Sequence, residues 1–226
     1  MSKNSCPVKT AETRMKALLL IVMFGFAALT SSGIGTYDEL ISATIQACNA
    51  PQTLLTSSFT NEVMGYRASC ADAQGQCAAD LALAISLMHR MDHDEACASD
   101  DAIFQEHQRL VSGVTQCVGL PAGSWIRYAA AAEYMTGLND GNRQEDSFAL
   151  STNMVARIAV NPPDMGVTNF WAAMSNWMKS PNETMETVFR LNAAIWLAEH
   201  NRTAEIVSLT NSLPSSAIGI FLDEIK

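Results

Sequence analysis

Beyond residue 36 the apolar side chains recur every three to four positions, which is the period of a helix that buries one face. Segments with this pattern cover residues 37–48, 60–68, 77–91, 100–118, 125–136, 145–160, 168–179, 181–199, 203–213 and 215–226. No run alternates apolar and polar residues for long enough to indicate a strand. The pattern therefore predicts an all-α protein.

Short stretches rich in Gly, Pro and Asn separate these segments, as at 119–123, 137–142 and 161–163. Connections this short favour antiparallel packing of neighbouring helices. Two architectures fit the pattern, namely a compact multi-helix bundle and a short α-solenoid of helical hairpins. Since no repeat of fixed period is visible, we expect the bundle.

Residues that favour helix caps mark several of the predicted starts. Ser99 and Ser124 each precede a helical segment, and the stretch 180–183 combines a capping serine, a proline and the glutamate of a capping box. The last segment starts after Pro214. Its apolar period predicts four residues pointing into the core, Ile218, Phe221, Leu222 and Ile225.

The residues before 36 form a basic leader followed by an apolar run. The leader holds four basic residues and one acid, and the thirteen residues from Ala17 to Leu29 carry no charge. This length matches the core of a signal peptide, and small residues at 31–33 would suit cleavage. Counting to Gly35 gives nineteen residues, which also suits a single membrane anchor whose N-terminus stays in the cytoplasm.

This pattern predicts that the chain is divided into two parts. We expect residues 1–35 to be a signal peptide or signal anchor, and residues 36–226 to be a single exported all-helical domain. The protein is then periplasmic or extracytoplasmic, or it is a single-pass membrane protein.

The charge distribution limits the partners. The net charge is −9, yet four of the fourteen basic residues and only one of the 23 acidic residues lie before Ala17. The rest of the chain is therefore strongly acidic. Binding to nucleic acid or to an anionic membrane surface requires clustered cations, so we expect neither kind of partner.

Five cysteines follow the leader, which itself contains Cys6; they are Cys48, Cys70, Cys77, Cys97 and Cys117. In an oxidising compartment two bridges can form and leave one thiol over. We expect Cys70 with Cys77, because residues 72–76 can turn the chain back, and Cys97 with Cys117. Free thiols and metal ligation are the alternatives. The unpaired cysteine is either buried or available for a disulfide-linked partner.

The densest group of ionisable residues surrounds His89 and His93, with His107 one predicted helix later. His89 and His93 are four residues apart and share a helix face, and imidazoles are ligands for copper or zinc. A solvated helix end is the alternative, and Arg90 stands where a zinc protease has glutamate. We therefore expect no metal site. If one exists, these three histidines are its candidate ligands.

A second group combines large apolar residues on one face of the segment 168–179, namely Trp171, Met174, Trp177 and Met178. Methionine and aromatic side chains adapt to irregular ligands, so this face is a candidate pocket for a small apolar molecule or a groove for a partner. Ordinary core packing is the alternative. No cofactor is predicted.

The sequence contains no nucleophile elbow, phosphate-binding loop, dinucleotide fingerprint or haem-attachment motif. We therefore expect a non-enzymatic helical interaction module of the cell envelope, accessory to a membrane-associated assembly, with a protein partner in or at the membrane. The alternative is an exported protein that binds a small apolar ligand or a metal. A hydrolytic enzyme ranks third.

Overall fold

The computed structural model describes residues 33–93, 100–164, 181–211 and 213–225. Every element in this part of the chain is helical, which confirms the predicted all-α class. The helices are α1 (Tyr37–Asn49), α2 (Pro51–Leu54), α3 (Ser57–Ser69), α4 (Ala73–His93), α5 (Asp101–Gln116), α6 (Trp125–Asp140), α7 (Gln144–Val160), α8 (Pro181–Glu199), α9 (Thr203–Thr210) and α10 (Ser215–Glu224).

Side-chain caps fix several helix starts. Thr36 and Glu39 form a complete capping box at the start of α1. Helix α5 begins one residue later than predicted, because Asp100 is its N-cap and accepts the backbone N–H of Ala102 at 2.9 Å. Ser124 is the N-cap of α6 as predicted, but its side chain makes no capping hydrogen bond.

Consecutive helices from α3 to α9 pack on one another, and α6 lies at the centre, in contact with α4, α5, α7 and α8. This arrangement is a multi-helix bundle, in agreement with the expected architecture. Alanines allow the close approach of the neighbouring helices, since Ala130 and Ala131 in α6 are fully buried. Gly137 serves the same purpose, because a Cβ there would collide with the side chain of Gln108 on α5.

A partly buried polar network joins three helices of the bundle. The side-chain amide of Asn139 in α6 donates to Asn192 Oδ1 in α8 at 2.9 Å. Asn192 Nδ2 in turn donates to the hydroxyls of Ser147 and Ser151 in α7, at 3.1 and 2.9 Å. Buried amides and hydroxyls are costly unless they are paired, so these bonds specify how α6, α7 and α8 fit together.

The export segment predicted at 1–35 falls almost wholly outside the described residues, which begin at Gly33. From Gly33 onward, within the described ranges, no helix is both long enough and apolar enough to span a membrane.

Candidate functional site

The predicted apolar pocket lies outside the part of the chain that the structure describes. Its residues Trp171, Met174, Trp177 and Met178 all fall within 165–180. Cys97 and the side chain of His93 are also outside the described set. Of the predicted site residues, two histidines and three of the four bridging cysteines can therefore be placed.

Of the three candidate metal ligands, His89 and His107 are described, and both are buried inside the bundle and do not lie at a solvated helix end. His89 in α4 is 5% exposed, and His107 in α5 is fully buried. The Nδ1 atom of His107 lies 3.1 Å from Gln108 Nε2, and its Nε2 atom lies 4.0 Å from Glu133 Oε2. Burial lowers the pKa of His107 to about 4, so the ring is neutral at pH 7 and its contact with Glu133 is no ion pair.

A zinc site in a protein has three or four converging side-chain ligands. Among the residues that the structure describes, no three His, Cys, Asp or Glu side chains lie close enough together to hold a metal ion. His107 and Glu133 therefore form a two-residue contact between α5 and α6.

Four cysteines are described, Cys48, Cys70, Cys77 and Cys117, and all four are free thiols. The predicted bridge between Cys70 and Cys77 is not formed, because residues 73–76 begin α4 instead of turning the chain back. The thiol of Cys70 donates to Asp72 Oδ2 at 3.0 Å, whereas the thiol of Cys77 contacts that of Cys117. The predicted bridge between Cys97 and Cys117 lies outside the described residues and stays a prediction.

The contact between Cys77 and Cys117 joins α4 to the end of α5. Cys77 is 6% exposed, and Cys117 is the half-buried C-cap residue of α5. The loop that follows Cys117 lies very close to the first turn of α4. A Cβ added at Gly119 would lie only 2.5 Å from Ala73 Cβ and 3.8 Å from Cys117 Sγ. Only glycine fits at this approach without a shift of the chain.

Arg127 in α6 completes this cluster, and it is 4% exposed. Its Nη1 donates to Thr115 O at 2.6 Å, and its Nη2 donates to Cys117 O and Leu120 O at 2.7 and 2.9 Å. The last carbonyls of a helix have no partner within it, so a cation at this end is stabilising. The guanidinium is also within electrostatic range of both Cys77 and Cys117.

Sequence reasoning missed Arg127, although one signal was present. It is the single basic residue in α6, between Ile126 and Tyr128 in a stretch that is otherwise mostly apolar. A lone cation in such a position requires buried acceptors.

Four side chains of the last two helices, which we call the C-terminal apolar face, are exposed to solvent. They are Val207 at 57%, Ile218 at 37%, Leu222 at 48% and Ile225 at 42%. The prediction that Ile218, Phe221, Leu222 and Ile225 all point into the core is therefore wrong for three of them, and of the four only Phe221 is buried. Helix α10 packs mainly on α8, and one neighbour covers only one side of a helix.

An aromatic stack lies where the C-terminal end of α8 meets the start of α7. The ring centroids of Phe148 and Trp196 are 4.2 Å apart, and those of Trp196 and His200 are 3.9 Å apart. Arg202 Cζ lies 5.7 Å from the centroid of the Trp196 ring. Trp196 and His200 form one wall of a shallow cleft of ≈ 320 Å³, and the polar residues 142–146 form its other walls.

Comparisons of the chain with protein-family models, with curated proteins and with solved structures found no match. Its function is therefore inferred from its own geometry.

Proposed function

We propose that the chain is a non-enzymatic helical interaction module, exported to or anchored at the outer side of a membrane, that binds a protein partner through its C-terminal apolar face. The observation that carries this proposal is the clustered exposure of Ile218 and Leu222 on α10 and of Ile225 at its C-cap.

The spacing of these residues makes them a surface and not isolated side chains. Ile218, Leu222 and the C-cap residue Ile225 occupy positions i, i+4 and i+7, so they lie on one side of α10 and its C-terminal end. Val207 adds a fourth exposed aliphatic residue on α9, which packs on the same helix α8. Single exposed apolar residues are normal on a protein surface, whereas grouped ones mark contact sites for proteins or membranes.

Charge favours a protein over a lipid surface. Acidic residues greatly outnumber basic ones beyond the leader, and exposed Glu205 and Asp223 lie on the same two helices as the apolar face. An anionic membrane would repel such a surface. A partner with an apolar helix or strand and basic residues at its rim would complement it.

The location at a membrane is supported by the leader. Thirteen uncharged residues follow four cations and one acid, which is the pattern of an export signal or anchor. A membrane-associated partner would meet the exported domain at that surface.

Pull-down of the full chain from native membranes tests the proposal. Leu222→Glu with Ile225→Glu places two charges on the apolar face, and these positions are exposed enough that the fold should be retained. The matched control is Val118→Glu with Val160→Glu, since those valines are 98% and 77% exposed outside the face. We expect wild type and control to recover the same protein, and the face variant to lose it.

Two results would overturn the proposal. One is wild-type protein recovered alone; the other is equal recovery of the partner by the face variant. Circular dichroism of both variants checks that they remain helical. Fractionation tests the location separately, because intact full-length chain in the cytosol would contradict export.

A second candidate function, binding of a small ligand, is favoured by the cleft beside Trp196. Its volume of ≈ 320 Å³ suits a small molecule, and the exposed His200 ring offers a flat surface for stacking. Because most of its wall is polar, the ligand would be planar and polar, unlike the apolar molecule expected from the sequence. Perturbation of the His200 ring signals in NMR spectra on addition of nucleobases tests this; unchanged spectra would exclude it.

A further inference from the structure

We propose that Cys77 and Cys117 form a disulfide bond when the chain meets a disulfide donor, so that the bridge joins the start of α4 to the end of α5. The pairing differs from both bridges expected from the sequence.

The register of the helical hairpin brings the two cysteines together. Helix α4 ends at His93, α5 begins at Asp101, and the two helices pack along their length. In an antiparallel pair, positions equally distant from the connection lie opposite each other. Cys77 and Cys117 are each twenty residues from position 97, and their thiols are in contact.

Neighbouring residues hold the two thiols in this position. Gly119 lets the loop after α5 approach Ala73, which is one helical turn before Cys77. Arg127 binds the carbonyl of Cys117 and so fixes the backbone that carries this thiol. The pair is therefore held by two elements outside the α4–α5 hairpin.

The reaction is a thiol–disulfide exchange. A thiolate attacks one sulfur of the donor, giving a mixed disulfide and releasing one donor thiol; the second cysteine attacks that mixed disulfide and releases the other. One bond forms between the two Sγ atoms, the donor's sulfur–sulfur bond breaks, and the two protons of the cysteines end on the two donor thiols. The chain loses two electrons, which the donor gains.

The order of attack follows from access. Cys77 is buried, and burial together with the Cys117 thiol raises the pKa of Cys77 to about 12, so it is a poor first nucleophile. Cys117 is half-buried and precedes Val118, which is 98% exposed. The donor therefore meets Cys117 first.

The test uses the purified full chain, first reduced and then incubated with oxidised glutathione. Free thiols are alkylated and the protein is digested without reductant. We expect a linked peptide pair that contains Cys77 and Cys117, a mass loss of two hydrogens for that pair, and a higher melting temperature than the reduced protein has. Cys48 and Cys70 should be alkylated.

Variants separate the order of attack from the pairing. Cys77→Ala should retain glutathione as a mixed disulfide on Cys117, because the second attack is missing. Cys70→Ala is the matched control and should form the bridge as wild type does. A linked peptide of Cys70 with Cys77 or of Cys97 with Cys117, or alkylation of both Cys77 and Cys117 in oxidised wild-type protein, would overturn the proposal. Mapping of the unmutated chain does not depend on any variant folding.

This proposal is separate from the apolar face. Failure of the membrane pull-down leaves the peptide map unaffected, since the cysteine pair and the last two helices are distinct parts of the chain.

Discussion

Helices α6 and α10 are both rich in apolar residues, but they have opposite environments. Helix α6 contacts four other helices and buries both Tyr128 and Leu138. Helix α10 packs mainly on α8, and it exposes Ile218 and Leu222. The apolar period therefore predicts that a helix forms, and the number of neighbouring helices decides how many of its sides become core.

The largest expected effect compares matched leucines in the two helices. Leu138→Ala in α6 should lower the free energy of unfolding by about 2–5 kcal/mol, because the side chain is 2% exposed and leaves a cavity. Leu222→Ala in α10 should change it by less than about 0.5 kcal/mol, since Leu222 is 48% exposed. Urea unfolding of both variants measures the difference. Equal losses would show that α10 is covered as α6 is.

A second variant tests how strongly polar groups hold the centre of the bundle. Arg127→Met removes three hydrogen bonds to buried carbonyls, and we expect a loss of about 3 kcal/mol in the free energy of unfolding. Arg109→Met is the control, because Arg109 is 62% exposed and pairs with Glu106 on its own helix. That exposed pair should contribute about 0–1 kcal/mol. Chemical denaturation at pH 7 distinguishes the two outcomes.

The pH dependence of stability tests whether the interior of the bundle around His107 excludes water, unlike the exposed helix α10. Burial lowers the pKa of His107 to about 4, whereas the unfolded chain has the ordinary value of 6.5. Between these values the unfolded state binds more protons, so the free energy of unfolding should fall as pH decreases from 6.5 to 4, by up to about 3 kcal/mol. His107→Gln should reduce this slope. An unchanged slope would mean that His107 titrates alike in both states.

The smallest effects concern two glycines that differ in their surroundings. Gly119→Ala should lower the free energy of unfolding by about 1–3 kcal/mol, because the new Cβ would meet Ala73 at 2.5 Å. Gly113→Ala should raise it by up to about 1 kcal/mol, since Gly113 is inside α5 with open space around it. Thermal unfolding of the two variants provides the comparison. Destabilisation by both would show that α5 has an additional neighbour.

The sequence predicted most helices to within a few residues, because caps and apolar periods are local properties. It predicted the starts of α1 and α7 closely. It could not predict which face of α10 lacks a neighbour, because that depends on contacts between residues far apart in the chain. The contact of Cys77 with Cys117 was missed for the same reason, since it depends on the register of two helices.

The Asn192 network has a consequence for how the last helices are presented. Its amide bonds to Asn139, Ser147 and Ser151 at once, so sliding α8 by one residue would strand several polar groups without partners. The axial position and rotation of α8 are thereby locked. Helices α9 and α10 both pack on α8. The hydrogen bonds of Asn192 to Asn139, Ser147 and Ser151 therefore also determine how α9 and α10, with their exposed apolar residues, are oriented on the protein surface.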